Sequence, residues 1–181
     1  TRNPTAVSQR AAFDTLLELR GDGAVLVSPR LAVRAVEHAA ATTPLVAVSE
    51  PLLSNRVDTV TNDEGLGARL VVDHLVALGH KDIVHIDGGK GAGAKARRRS
   101  FLEAMKAHGI EDYARVVEGG FSEEAGYTAA RTILDSRARP TAIFAGNDAA
   151  AAGVLDLLYE RNVSVPGEIS VCGYDNVALA H

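Results

Sequence analysis

The sequence predicts an α/β protein built on parallel sheets. Two observations carry this: short runs rich in Val, Ile, Leu and Ala alternate with single stretches of helical periodicity, and most runs are continuously apolar, as strands buried on both faces must be. The chain opens with Asn3 as N-cap and Pro4 at the first helical position, and Phe13, Leu16 and Leu17 then fall at helical spacing before Gly21 ends the helix. "GAVLVS" (23–28) reads as a buried strand, a helix follows over 30–42, and "PLVAVS" (44–49) is a second strand bounded by proline. "VDTVT" (57–61) alternates, which places it nearer a sheet edge.

From Glu64 the period returns to helix, with Gly67, Val71, Leu75 and Leu78 on one face and Gly79 as the C-terminal cap. "DIVHIDGG" (82–89) is the next strand. The following helix carries Phe101, Ala104, Met105 and His108 on one side, and strand "RVVEG" (115–119) and a helix over 123–136 come after it. "TAIFAG" (141–146), a helix over 148–161 and "EISVCGYD" (168–175) complete the series.

The run "LLSNRVDTVTNDEGLG" interrupts this alternation, and seven strands in one sheet would leave it unexplained. Two sheets are therefore expected, in subdomains of residues 1–62 and 63–181. The first helix has no preceding strand and the last strand has no covering helix, whereas a right-handed crossover needs both partners. Both subdomains accordingly read as incomplete parts of a longer protein.

At 181 residues and 46% hydrophobic the chain has ample material for a packed core. No run approaches a membrane span and the start lacks the pattern of a signal peptide, so a cytoplasmic location with no membrane partner is expected. Cys172, the single cysteine, makes no internal disulfide and reads as a buried, inert thiol. The formal net charge of -4 argues against a large nucleic-acid footprint. One basic cluster, "KARRR" (95–99), needs its own account. On a helix Arg97 and Phe101 share a face, while Arg98 and Arg99 are rotated from Arg97 by about 100° and 200°, toward solvent or local ion pairs.

Ligands of open parallel sheets bind beyond the carboxyl ends of the strands. Ser49, Arg97, Asn147 and Asp175 fall there, and Phe121 follows "VVEGG". Each has a plainer reading: Asn147, Asp148 or Asp175 as helix caps, Arg97 as a solvated charge, Phe121 as core. Together they form the inventory of a binding pocket, with an amide, a guanidinium, a carboxylate and a flat apolar face for a small hydroxylated or heterocyclic ligand. Nucleophile–base pairs, metal-ligand spacings and phosphate-loop motifs are not evident, so no enzyme activity, metal or cofactor is expected. "GGKGAG" (88–93) lacks the phosphate-binding spacings and reads as a flexible connection.

"HLVALGHKDIVHIDGG", "RRRSFLEAMKAHGI", "RPTAIFAGNDAAAAGVL" and "VPGEISVCGYDN" stand in the order and spacing of the effector-binding core of LacI/GalR-type transcriptional regulators, which the chain resembles from about residue 20 to 177. The resemblance implies a periplasmic-binding-protein-like fold of two parallel-sheet subdomains with the effector in the cleft between them. It implies that Arg97 of R-x-x-S-F holds the effector, with Ser100 where the family has glycine. Asn147 of A-x-N-D reaches the cleft while Asp148 starts the helix, Asp175 of G-Y-D contacts the ligand, and Phe121 packs on it. Ser49 stands where members carry aspartate in V-D-x-P, and Asp63 matches the cleft-side aspartate. Members also carry a helix-turn-helix, which is absent from this chain.

The function expected is therefore effector sensing by a bacterial repressor. A small polar metabolite, a sugar above all, shifts the conformational populations of a homodimer and changes the DNA affinity of a headpiece outside this chain. The alternatives are an exported sugar-binding protein of a transport system and, from another class, a nucleotide-dependent α/β transferase.

Overall fold

A computed structural model describes residues 6–48, 52, 54–136 and 138–180. The chain divides into two compact units, Thr1–Asn62 and Asp63–His181.

In the first unit, helices α1 (Ala6–Glu18) and α2 (Val33–Ala40) accompany strands β1 (Ala24–Val27), β2 (Leu45–Val48) and β3 (Asp58–Val60). The strands pair in parallel in the order β1-β2-β3, so β3 lies at an edge as its alternation predicts. Phe13, Val36 and Ala39 of the helices meet Leu26, Leu45 and Ala47 in one core. The reading of β1 as a buried strand is corrected: Val25 and Val27 are exposed, Leu26 is buried in the core and Ala24 packs against it half-buried. An edge strand is paired on one side only, and apolar content alone does not distinguish it from a central one. Helix α1 also stops before Gly21, with Arg20 taking the left-handed conformation at φ 49°.

The second unit contains α3 (Glu64–Ala77), β4 (Ile83–Ile86), α4 (Ala94–Ala107), β5 (Ala114–Val117), α5 (Glu123–Leu134), β6 (Ala142–Ala145), α6 (Asp148–Glu160) and β7 (Ser170–Cys172). Its sheet is parallel throughout in the order β5-β4-β6-β7. The central strands β4 and β6 are buried along their whole length, which explains their continuous apolar runs. Alternate residues feed two cores. Ile83, Ala142 and Phe144 pack against α3 and α4 through Val72, Leu75, Phe101 and Met105. Val84, Ile86 and Ile143 pack against α5 and α6 through Ile133, Val154 and Leu157. The buried stripe of α3 is Ala68, Val72 and Leu75, rotated from the expected face, and Leu78 sits exposed at the C-cap.

Helices α5 and α6 approach almost backbone to backbone. A Cβ on Gly126 would strike the carbonyl oxygen of Ala150, and one on Gly153 would strike that of Glu123.

His85, in β4, is fully buried between Phe101 and Phe144, with ring centroids 5.2 and 4.6 Å away. Its Nδ1 donates to the Phe144 carbonyl at 2.9 Å, and its Nε2 has no partner among the described residues. Burial pushes the imidazole down to about 4 from an ordinary 6.5. The native state thus holds His85 neutral, while the unfolded chain takes up a proton as pH falls below 6.5. Stability from this residue is complete above pH 6.5 and is lost toward pH 4, by about 3 kcal/mol at most. His85→Leu is expected to flatten that decline in urea titrations between pH 6.5 and 4. An unchanged slope would show that His85 does not govern it.

Candidate functional site

All strands of the second sheet run the same way, so their carboxyl ends share one edge. β5 follows β4 to one side and β7 follows β6 to the other, which puts the switch point of the sheet, where such sheets take ligands, at the ends of β4 and β6. Arg97 enters after β4, Phe121 after β5, Asn147 after β6, and Tyr174 and Asp175 after β7.

Arg97 is 4% exposed. Its Nε donates to Oε2 of Glu64 at 2.9 Å, its Nη2 lies 2.8 Å from the same oxygen as an ion pair, and its Nη1 donates to the carbonyl of Gly146. The guanidinium carbon lies 3.5 Å from the Tyr174 ring centroid and 5.4 Å from that of Phe121, both cation–π contacts. Arg98 is turned outward and reaches Asp87 at 3.3 Å, and Arg99 pairs with Glu103 at 3.6 Å. The basic cluster is therefore divided as helical geometry predicts. Ser100 is accommodated in the buried face of α4, near Gly65 of α3.

Glycines make room for these side chains. The Phe121 ring occupies the space a Cβ would need on Gly88 or Gly91, Tyr174 does the same at Gly67, and Gly93 (φ 76°) leaves room for Glu64. This corrects the reading of "GGKGAG" as a flexible connection. Asp87 braces that loop, its Oδ1 accepting from the backbone of Gly89 at 3.0 Å and Gly119 at 3.2 Å.

Asn147 is the N-cap of α6: its Oδ1 accepts from the Ala150 amide at 2.9 Å, and its Nδ2 makes a long 3.5 Å contact with the Phe121 carbonyl. The plainer reading of Asn147 therefore applies as well, with one amide hydrogen left over. Asp148 does more than start the helix. Its backbone donates to the Tyr174 carbonyl at 2.9 Å and its buried Oδ2 accepts from Val177 at 2.8 Å, fixing the turn that carries Asp175. In that turn Asp175 and Asn176 both have positive φ, 101° and 55°. Asp175 is exposed, and its carboxyl is raised above the ordinary range by partial burial, then by Asp148 and Glu64, with Arg97 opposing.

Asp63 caps α3 by accepting from Leu66 at 2.8 Å. Ser49 lies outside the described residues. Cys172 is partly rather than fully buried, and burial raises its thiol. Among the described residues no group of three or more His, Cys, Asp or Glu could hold a metal ion.

The family profile for periplasmic binding protein-like domains matches residues 72–181. Over 174 residues, 93% of the chain, it is 32% identical to the ribose operon repressor of Escherichia coli. The chain belongs to the LacI/GalR family of regulators. A second relative of this LacI/GalR-type chain, the HTH-type transcriptional repressor PurR of Edwardsiella ictaluri, is 38% identical over 130 residues, 70% of the chain. Among solved structures, a LacI transcriptional regulator from a Rhodococcus species superposes with a TM-score of 0.89 at 39% identity, covering 96% of this chain and 65% of that one. The chain spans 52% of the ribose operon repressor and 38% of the PurR protein.

Proposed function

We propose that this LacI/GalR-type chain is the effector-binding part of a bacterial transcriptional repressor. Its effector is a small polar metabolite, a sugar in the first instance, held by Arg97, Asn147, Phe121 and Asp175. The observation that carries the reading is Arg97, buried at the carboxyl ends of the second sheet's strands and within cation–π distance of two aromatic rings. A planar donor beside apolar ring faces suits the hydroxyl edges and C–H faces of a sugar.

The two relatives described above are named as repressors, one of them for ribose. No helix among the described residues is long and apolar enough to cross a membrane. A cytoplasmic homodimer that contacts DNA through a headpiece outside this chain fits the same reading.

The test uses the full-length protein and DNA from its own promoter, with fluorescence anisotropy read during titration with neutral pentoses and hexoses. One of them is expected to shift DNA affinity by about 5- to 150-fold. A full shift retained in Arg97→Lys would remove Arg97 from the site.

A further inference from the structure

We infer that Glu64 sets the charge selectivity of this site, so that it accepts uncharged polyhydroxylated ligands and turns away phosphorylated or carboxylated ones. The inference rests on the effector-binding reading and adds the ligand's chemical class. An unpaired guanidinium presents five N–H donors and a full positive charge, which would favour a phosphate or carboxylate. Here the Nε hydrogen goes to Glu64 and one Nη1 hydrogen to Gly146, while Nη2 is held 2.8 Å from the same Glu64 oxygen, so part of the donor set and the charge are already engaged. The donors that remain suit hydroxyl oxygens.

The charge is also matched. Glu64 sits at 2.8 Å with its side chain 15% exposed, in contact too close to be screened by solvent. Asp148 and Glu64 act on Asp175 alongside Arg97, two anions with one cation. The neighbouring arginines do not compensate, because Arg98 is paired with Asp87 and Arg99 with Glu103. A dianionic ligand arriving here meets a local excess of carboxylate.

Glu64 is also built into its place. It starts α3 and abuts Gly93, the left-handed residue before α4, where any side chain would collide with its carboxylate. The pair is thus a fixed part of the fold of this unit rather than an exposed contact between two flexible chains.

The probe is inorganic phosphate at constant ionic strength, with the full-length protein and phosphorus NMR line widths and thermal shift as readouts. Wild type is expected to show no phosphate site that depends on Arg97. Glu64→Gln, which removes the charge and keeps an acceptor, is expected to gain at least about tenfold in phosphate affinity. The gain should vanish in Glu64→Gln/Arg97→Leu. Glu64→Ser, too short to reach the guanidinium, is the second variant and should gain the same site. Phosphate binding by wild type that Arg97→Leu removes, or silence in both Glu64 variants, would overturn the inference. Neither result depends on whether a sugar shifts DNA affinity, so the two readings fail separately.

Discussion

Arg97→Ala is expected to lose effector binding and fold stability together. A hydrogen bond to a charged group is worth about 1.5 to 3 kcal/mol, or roughly ten- to a hundredfold in affinity, and calorimetry with the cognate effector reads that loss. The stability cost follows from the pair with Glu64, which would be left largely buried and unpartnered. Breaking such a pair from one side costs about 3 to 5 kcal/mol when fully buried, and Glu64, at 15% exposure, belongs near the lower figure. The cationic contact with Tyr174 is lost as well.

Arg97→Lys separates the two effects. It keeps the charge opposite Glu64 and so most of the stability, but an ammonium cannot serve Glu64, Gly146 and a ligand from one plane. Arg98→Ala is the control, expected within about threefold in affinity because its pair with Asp87 is half exposed. Damage from Arg98→Ala together with a silent Arg97→Lys would show that the wrong arginine has been assigned to the ligand.

The second large effect is expected at the α5–α6 contact. Alanine is the better helix former by about 1 kcal/mol, so propensity alone predicts that Gly126→Ala and Gly153→Ala stabilise. Packing predicts the reverse, because each new methyl would meet backbone atoms that have no rotamer to change. Overpacking costs about 1 to 3 kcal/mol in ordinary cores, and backbone obstruction places these sites at or beyond the upper figure. Each variant should lose about 2 kcal/mol or more in urea unfolding. The double variant should lose less than the sum, since one separation of the helices relieves both contacts. A stabilised Gly153→Ala would mean that the helices have room to part.

Most of the fold was legible because its signals are local. Continuous apolar runs marked β4 and β6, and the spacing from Arg97 to Phe101 separated the inward arginine from Arg98 and Arg99. What escaped depends on distant partners. Glu64 reads as an ordinary acidic first turn, and nothing within its neighbourhood in sequence announces Arg97, 33 residues on. Gly88 and Gly91 look like linker because the ring that requires them is Phe121. Asp148 resembles a helix starter, since its acceptor role is completed at Val177. β1 looked central because hydropathy does not record how many neighbours a strand has.

The turn after β7 has a consequence for how this domain is allowed to vary. Asp175 holds φ at 101°, a region that suits glycine and that costs other residues about 1 to 3 kcal/mol. Glycine would relax the chain there and erase the carboxylate. With Asp175 in the ligand-binding role proposed above, folding and recognition ask for different residues at one address, and the domain keeps the one that folds less well. Mutations that raise thermal resistance without regard to sensing should accumulate at this position, and their arrival would mark a protein that no longer reads its signal.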